Sequence, residues 1–455
     1  MLTHLKLENF KIWRSTGPVR LAPLTLLLGT NSSGKSSLSQ SLLLLRQTVK
    51  GSDAGLDLNL GNPDAGDTVT MGQFSDLLCR YGAATESTSA NQVGIEFRWA
   101  PHLSEGADTT LFSARYRAGP AGSAELDYLR LGQDGQGFTV QRRKAGIYRL
   151  LLGSQAQPVG QSADFRPERS FAFSAATLNK LSRMKKLGAL VDEIRPVGPA
   201  LLEELSRIIY LGPVRQLARR DYVWSGRMPA HIGDDGGRAV DVLIASGVAQ
   251  QTRRGQKSDS DEAGRIFRET EHWLRELEVA EGLQVRALGR SARYELLVKH
   301  RGAVVNLKDV GVGVSQVIPV VVAALFAKPG HIVIVEEPES HLHPLAQAKL
   351  AELVASVSAA RGVQFIIETH SEHLFRRMQT LMARQQVQPG QAAMYFVERE
   401  GQAAKLREHK LDDLGRVANW PDKFFGNSLG ETREQTALAI QRAKELRAQG
   451  SHGSD

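Results

Sequence analysis

The stretch Gly29-Thr-Asn-Ser-Ser-Gly34-Lys35-Ser36 decides how this chain is interpreted. It fits the eight-residue P-loop pattern, in which glycines let the backbone approach phosphates, a lysine reaches the terminal phosphates and a hydroxyl ligates Mg²⁺. The mostly apolar run from Leu24 to Leu28 predicts a buried strand before the loop, and the leucines after it predict a helix. A strand, this loop and a helix indicate a nucleoside triphosphate site. The predicted nucleotide ligands in the loop are Gly29, Asn31, Ser33, Gly34, Lys35, Ser36 and Ser37.

A second segment, Ile332-Val-Ile-Val-Glu336-Glu337-Pro338, predicts a buried parallel strand that ends in two carboxylates. At such a strand end one carboxylate serves the metal and the other acts as general base toward water. We therefore assign Glu336, with Ser36, to the metal and Glu337 to the base. P-loop proteins usually have aspartate at the first position, so glutamate there predicts a weaker hold on Mg²⁺ and slow hydrolysis. The two segments together predict an ATPase that uses ATP and Mg²⁺.

Composition excludes several classes of protein. The chain has 455 residues, of which 42% are hydrophobic, and this is enough apolar material for two or three cores. The single cysteine, Cys79, excludes a disulfide framework and a cysteine-rich zinc module. No apolar stretch approaches the length of a membrane span, so we expect a cytoplasmic protein without a membrane partner. The net charge of +8 and the cluster of Arg215, Arg219 and Arg220 permit DNA or RNA binding without establishing it.

The periodicity of the chain predicts an α/β fold with a mixed sheet, flanking helices, an antiparallel β subdomain and a helical insertion. The order of an apolar strand from Ile332, a helix from Leu345 and a strand from Gln364 predicts a parallel pair of strands. The predicted segments are 1–92 and 283–384 for the two parts of the nucleotide-binding domain, 93–160 for the β subdomain, 161–282 for the insertion, and 385–455 for a C-terminal module.

His370 follows the strand that begins at Gln364, and a parallel arrangement would bring it to the same edge of the sheet as Glu337. We expect His370 to sense the γ-phosphate, and we take Lys35, Glu337 and His370 as the catalytic residues. The four histidines 341, 343, 370 and 373 lack the acidic or cysteine spacing typical of zinc sites. Hydrogen bonding around phosphate is therefore favoured over a metal cluster.

Several motifs follow one another in the order seen in a known family. They are Lys6-Leu-Glu-Asn-Phe10-Lys11, the P-loop, Asp309-Val-Gly-Val-Gly313-Val-Ser315-Gln316, the segment from Glu336 to Pro344, and Glu368-Thr369-His370-Ser371. In this the chain resembles the ABC-type AAA ATPases related to the SMC, RecF and overcoming-lysogenization-defect proteins. The tail between Tyr395 and Phe425 is similar to a C-terminal module of a bacterial subfamily of these ATPases. The resemblance covers residues 1–78 and 300–426.

The resemblance implies a P-loop NTPase of the ABC-ATPase head type with a composite site. In such ATPases a signature loop of one subunit closes over the ATP held by the other. Gly313, Ser315 and Gln316 would then contact the γ-phosphate in trans, and ATP would join two heads into a dimer or a higher oligomer. The signature departs from the common Leu-Ser-Gly-Gly-Gln. Gln73 is a candidate for the glutamine that couples Mg²⁺ to lobe movement.

By the same resemblance, the chain would be an ATP-driven switch in bacterial antiphage defence. It would sense or restrain a separate effector protein, such as a nuclease or toxin, because no carboxylate-rich nuclease pattern follows His370. An alternative is a DNA-repair or chromosome-maintenance clamp that uses ATP to grip duplex DNA, and a further one is a scaffold that binds ATP without turnover. A last predicted helix, from Glu431 to Arg447, would dock on its own head or on a partner.

Overall fold

The computed structural model describes residues 1–80, 90–100, 109–133, 136–153, 157–184, 187–252 and 262–409. The helix predicted from Glu431 to Arg447, and the part of the tail motif after residue 409, lie outside the described residues. The strands are β1 (Leu2–Phe10), β2 (Trp13–Ser15), β3 (Val19–Arg20), β4 (Leu24–Gly29), β5 (Gln92–Trp99), β6 (Thr110–Ala118), β7 (Ala124–Gly132), β8 (Phe138–Lys144), β9 (Ile147–Leu152), β10 (Gln157–Ser162), β11 (Ile208–Leu211), β12 (Tyr222–Val223), β13 (Gly282–Ala287), β14 (Arg293–His300), β15 (Ala303–Asn306), β16 (Ile332–Glu336), β17 (Gln364–Thr369), β18 (Ala392–Glu400) and β19 (Ala403–Glu408). The α-helices are α1 (Lys35–Lys50), α2 (Ala175–Ser182), α3 (Gly188–Ile194), α4 (Val197–Ser206), α5 (Ala239–Thr252), α6 (Glu262–Glu276), α7 (Val312–Phe326), α8 (Pro344–Arg361) and α9 (Glu372–Ala383).

The sheet that carries the P-loop has six strands in the order β11-β16-β17-β4-β18-β19. The first five strands run parallel, and β19 pairs antiparallel with β18. Strands of parallel sheets are covered on both faces, and every residue of β4, β16 and β17 is buried, as their apolar sequences predict. The carboxyl ends of these three strands meet at one edge of the sheet, where the P-loop begins.

Alternate residues of the central strands enter two different hydrophobic cores. Ile332 and Ile334 belong to the core that also contains the leucines of α1 and the antiparallel sheet. Val333 and Val335 belong to the core that contains helices α5 to α9. Because successive side chains point to opposite faces of the sheet and are all apolar, both faces are covered by helices. This packing holds the strand ends in place for the site that they carry.

A nine-stranded antiparallel sheet packs against α1 and has the order β10-β9-β8-β7-β6-β5-β1-β2, with β3 beside β1. Its central strands bury aromatic side chains such as Phe97 and Phe112. Strand β1 pairs with β5 through six residues, so the sheet crosses the boundary predicted at 92/93. A smaller sheet contains β12 to β15. The predicted α/β fold with a mixed sheet and an antiparallel β subdomain is confirmed.

The predicted insertion, 161–282, is only partly helical. Helices α2 to α4 precede β11, and β11 pairs in parallel with β16 at the edge of the central sheet. Strands β18 and β19, which fall in the predicted C-terminal module, complete the same sheet. A four-residue apolar run such as Ile208–Leu211 is too short for its period to distinguish strand from helix. In the described part of the chain, no helix combines the length and apolar character needed to cross a membrane.

Candidate functional site

The P-loop joins the end of β4 to the start of α1 through two glycines with positive φ. Gly29 has a φ of 152°, and a Cβ there would collide with the carbonyl oxygen of Val397. Gly34 has a φ of 109°, and a Cβ there would lie 2.6 Å from Cδ1 of Ile12. Gly34 is also the N-cap of α1, and no side chain caps this end of the helix. Ser37 N–H donates to the carbonyl oxygen of Gly34, and the N–H groups of Lys35 and Ser36 are left for an anion.

Lys35 lies inside the loop and is only 3% exposed. Its ammonium donates hydrogen bonds to the carbonyl oxygens of Gly29 at 3.1 Å and Thr30 at 2.9 Å. It also lies 3.9 Å from the carboxylate of Glu368. Burial lowers the pKa of Lys35, and the neighbouring Glu368 opposes that shift. The loop therefore holds a desolvated cation, bonded to two backbone carbonyls and close to one carboxylate, that can interact strongly with phosphate.

The remaining loop residues differ in how they are presented. Asn31 is exposed, Ser36 is half-buried, and Ser33 and Ser37 are buried. The hydroxyl of Ser33 has no hydrogen-bond partner among the described residues, although it is buried. Buried polar groups are normally paired, and an unpaired hydroxyl here fits a loop that binds phosphate oxygens. The assignment of these residues to the nucleotide stays a prediction that the local geometry favours.

The carboxyl end of β16 places the two predicted carboxylates in different surroundings. Glu336 is buried and accepts a hydrogen bond from the hydroxyl of Tyr210 at 3.0 Å, and burial raises the pKa of Glu336. Glu337 has a φ of 46°, in the left-handed region that non-glycine residues rarely adopt. The hydroxyl of Ser340 donates to the Glu337 carboxylate at 3.1 Å. A strained backbone thus presents the predicted general base at the edge of the sheet.

Arg215 is a site residue that sequence reasoning misassigned. It follows β11, is 4% exposed, and donates from Nη2 to the carbonyl oxygens of Glu336 at 2.8 Å and Glu337 at 2.9 Å. Arg215 is therefore buried and not available for the DNA or RNA binding that the sequence cluster permits. Arg219 and Arg220 are exposed, and Arg220 pairs with Asp309. Only the position of β11 beside β16 could have revealed this contact.

Glu368 is a second site residue that the sequence did not reveal, since it had been given no individual role. It ends β17, and its carboxylate accepts a hydrogen bond from the hydroxyl of Ser36 at 2.8 Å. Burial, together with the nearby carboxylate of Glu336, raises the pKa of Glu368 to about 7. We assigned Ser36 and Glu336 to the metal; here Ser36 contacts Glu368 and Glu336 contacts Tyr210, and the assignment to the metal stays a prediction. The available signal was a glutamate at the end of a predicted parallel strand.

His370 lies at the predicted edge of the sheet, directly after β17. Its backbone N–H donates to the buried carboxylate of Glu339 at 2.7 Å, which ties the His370 turn to the loop after β16. Partial burial and the nearby Lys35 lower the pKa of the His370 ring, which favours the neutral imidazole. A neutral ring at this edge can both donate and accept hydrogen bonds. The structure therefore brings Lys35, Glu337 and His370 together, as predicted.

The predicted signature residues lie at the start of α7, with one correction. Gly313 packs so closely on the next motif that a Cβ would lie 2.6 Å from the carbonyl oxygen of His341. Ser315 is half-buried, and its hydroxyl donates to the carbonyl of Val312 at 2.9 Å. Gln316 is only 6% exposed, because its position in α7 faces the core. Gly313 and Ser315 are thus the residues that could face a second subunit, and Gln316 is not.

Gln73 is not brought to the site. It caps a short 3₁₀ turn, where its backbone N–H bonds the carboxylate of Asp76 at 3.0 Å, and its side chain lies beside Gly122. The bridge between Phe10 and Leu78 holds this turn against the antiparallel sheet. Within the described ranges, no group of three or more His, Cys, Asp or Glu side chains is arranged to hold a metal ion. In nucleotide sites Mg²⁺ takes one or two protein ligands together with phosphate oxygens.

Comparison with protein families gives two matches. Residues 162–376 match a family described as "AAA domain, putative AbiEii toxin, Type IV TA system". This range contains the signature, the two strand-end glutamates and His370, and it begins after the P-loop. Residues 387–435 match a family described as "Protein of unknown function (DUF3696)". A search of curated proteins found no match.

Among solved structures, SMC head domains align with most of this chain. An SMC head bound to the C-winged helix domain of ScpA is 15% identical, covers 90% of this chain and 98% of its own, and has a TM-score of 0.48. The SMC head from Thermotoga maritima is 13% identical, with the same coverages and a TM-score of 0.40. The fold assignment therefore rests on the order of the strands in the central sheet and not on these scores. The predicted resemblance to AAA-type ATPases is confirmed, and its subfamily stays a prediction.

Proposed function

We propose that the chain binds and hydrolyses ATP and that ATP joins two copies head to head as a switch; the match of residues 162–376 to an AAA domain family supports this. One observation carries the proposal. Lys35, Ser36, Glu337 and His370 come from three separate parts of the sequence and converge at the carboxyl edge of one parallel sheet. Ligands of α/β proteins bind at such edges.

The proposed roles follow from the contacts of each side chain. The free N–H groups at the start of α1 would bind the phosphates, and the desolvated ammonium of Lys35 would exchange its two carbonyl partners for phosphate oxygens. Glu337 would accept a proton from the attacking water, and His370 would hydrogen-bond near the γ-phosphate. Mg²⁺ would neutralise phosphate charge, with Ser36 among its ligands. Glu336, at a position where P-loop proteins usually have aspartate, supports slow turnover.

The dimer is supported by the start of α7. Gly313 and Ser315 lie where the helix N-terminus is accessible, and Gly313 packs on the carbonyl of His341, in the segment that follows Glu337. A second copy could therefore place its α7 N-terminus over the bound triphosphate, where the helix dipole favours negative charge. Closure of the dimer would then depend on the γ-phosphate, and hydrolysis of ATP would let the two copies separate.

The biological setting that we propose is defence against phage or foreign DNA through a separate effector protein. The description of the family matched by residues 162–376 applies the words toxin and toxin–antitoxin system to the AAA domain itself, which supports a defence setting and does not identify a partner. A DNA clamp is the second candidate. Because Arg215 is buried against Glu336 and Glu337, one of the three clustered arginines is withdrawn from any DNA surface.

Native mass spectrometry of the Glu337→Gln variant, recovered from its own host with ATP, tests the proposal. Removing the base should trap the ATP-bound dimer, because binding does not require proton transfer. The matched control is Lys35→Ala in the same background, which should give a monomer without nucleotide. A second protein in fixed ratio would support the effector, and retained duplex DNA would favour the clamp. An ATP-free monomer of Glu337→Gln would contradict the composite site.

A further inference from the structure

The order of the strands bears directly on which carboxylate serves the metal. Strand β17 lies between β16 and β4, so Glu368 stands on the immediate neighbour of the P-loop strand. Its partners in register are Leu27 of β4 on one side and Glu336 of β16 on the other. Glu336 is therefore one strand further from the P-loop. Neighbouring strands are about 4.8 Å apart, so the strand order places the backbone of Glu368 nearer the P-loop strand than the backbone of Glu336.

The side chains follow this order. Glu368 accepts the hydroxyl proton of Ser36 through Oε1 at 2.8 Å and lies 3.9 Å from the ammonium of Lys35. Its second oxygen, Oε2, is buried and has no hydrogen-bond partner among the described residues. The side chain of Glu336 instead contacts β11, where its carboxylate accepts a hydrogen bond from the hydroxyl of Tyr210. One carboxylate thus faces the P-loop, and the other faces the edge strand.

We propose that Glu368, and not Glu336, is the carboxylate on the metal side of this nucleotide site, meaning that it supports metal binding by accepting a hydrogen bond from Ser36, the predicted metal ligand. The inference rests on the proposed binding of ATP with Mg²⁺. A serine that ligates Mg²⁺ through an oxygen lone pair can still donate a hydrogen bond from its hydroxyl, and Glu368 accepts that bond. Such a partner orients the ligand and raises its basicity. The unpaired Oε2 of Glu368 can accept a hydrogen bond from a water bound to the metal.

Glu336 then has a different task. Its buried carboxylate, bonded to Tyr210, links β16 to β11, whose following segment carries Arg215. It holds the strand end from which Glu337 projects and does not contact Ser36. The two consecutive glutamates at the end of β16 therefore have separate roles, with Glu336 in the structure of the sheet edge and Glu337 as the general base. The metal-side carboxylate comes from the next strand.

The competing explanation is that Glu368 is a latch that keeps Ser36 and Lys35 away from nucleotide. A latch and a metal-side partner make opposite predictions. Removing a latch should tighten ATP binding even without metal, because Lys35 loses a competing anion. Removing a metal-side partner should weaken metal binding and leave metal-free ATP affinity unchanged.

The test measures binding and needs no turnover. Full-length protein carrying Glu337→Gln is saturated with ATP and titrated with Mn²⁺, and free Mn²⁺ is read by electron paramagnetic resonance. Glu368→Gln should weaken Mn²⁺ affinity by about 10-fold to 100-fold, the usual effect of losing a partner of a metal ligand. Glu336→Gln, the matched comparison, should stay within about twofold in the same assay. ATP affinity in EDTA should be equal in all three proteins.

Other outcomes overturn the assignment. Weaker Mn²⁺ binding in Glu336→Gln with normal binding in Glu368→Gln would return the metal to Glu336. Tighter metal-free ATP binding in Glu368→Gln, with unchanged Mn²⁺ affinity, would establish the latch. If Glu368→Gln fails to fold, Glu368→Asp, which is one methylene shorter, should show the same loss of Mn²⁺ affinity, and a normal affinity there refutes the proposal. Failure of the parent protein to bind ATP would instead refute the proposed function.

Discussion

Replacing Arg215 with methionine should slow ATP hydrolysis about a hundredfold and leave ATP binding nearly intact. The guanidinium donates to the carbonyl oxygens of Glu336 and Glu337 at 2.8 and 2.9 Å. A hydrogen bond from a charged donor contributes about 1.5–3 kcal/mol, so the pair contributes about 3–6 kcal/mol. The left-handed backbone of Glu337, with a φ of 46°, costs about 1–3 kcal/mol. Since the two bonds outweigh that cost, their loss lets the strand end relax and moves the base.

The assay combines steady-state phosphate release with titration of a fluorescent ATP analogue. A displacement of about 1 Å at a reacting group costs on the order of a hundredfold in rate, and this loss should appear in kcat. KM should change by less than about threefold, because the contacts of Lys35 do not involve Arg215. Arg215→Lys keeps the charge but replaces Nη2, which makes both bonds, with the ammonium of a shorter side chain, so it should recover part of kcat.

Arg219→Met is the matched control, because Arg219 lies in the same segment and is exposed. It should hydrolyse ATP at the normal rate. A folded Arg215→Met protein with normal kcat would refute the reasoning. A parallel loss of thermal stability, ATP affinity and kcat would refute it as well, because Arg215 would then support the fold in general and not the base.

Three further predictions concern individual contacts. Gly313→Ala should weaken ATP-dependent dimerisation, measured by light scattering in the Glu337→Gln background, because its Cβ would lie 2.6 Å from the His341 carbonyl oxygen and displace the start of α7. Gly29→Ala should lower the melting temperature and abolish ATP binding, because its Cβ would collide with the carbonyl of Val397 and its φ of 152° disfavours alanine. Tyr210→Phe should lower the free energy of unfolding by about 1–3 kcal/mol in a urea titration, because it leaves a buried carboxylate without its donor.

Local sequence signals predict the parts of the site that are contiguous in the chain. The P-loop, the strand before it and the helix after it follow from spacing and apolar runs, and α1 begins at Lys35 as the motif requires. The order of β16, α8 and β17 likewise predicts a parallel pair, which the structure contains. These features depend on residues close in sequence, whose geometry the backbone fixes.

Contacts between distant segments could not be predicted in the same way. The bond from Ser36 to Glu368 joins residues 332 positions apart and exists only because β17 lies beside β4. Arg215 has the sequence context of a surface cluster, yet β11 directs it to the strand end. Periodicity gives the type of an element but not its neighbours in a sheet. Gln73 was a candidate through the family resemblance, and its turn is held by the bridge between Phe10 and Leu78 and by the bond from Gln73 to Asp76.

The most direct test of the central claim is phosphate release from ATP by the full-length protein with Mg²⁺, measured together with ATP binding. We predict slow turnover by the native protein, binding without turnover by Glu337→Gln, and neither binding nor turnover by Lys35→Ala. This pattern follows from a buried P-loop cation and a separate general base, Glu337, directly after β16. Equal phosphate release by all three proteins, or ATP binding that survives Lys35→Ala, would contradict the account.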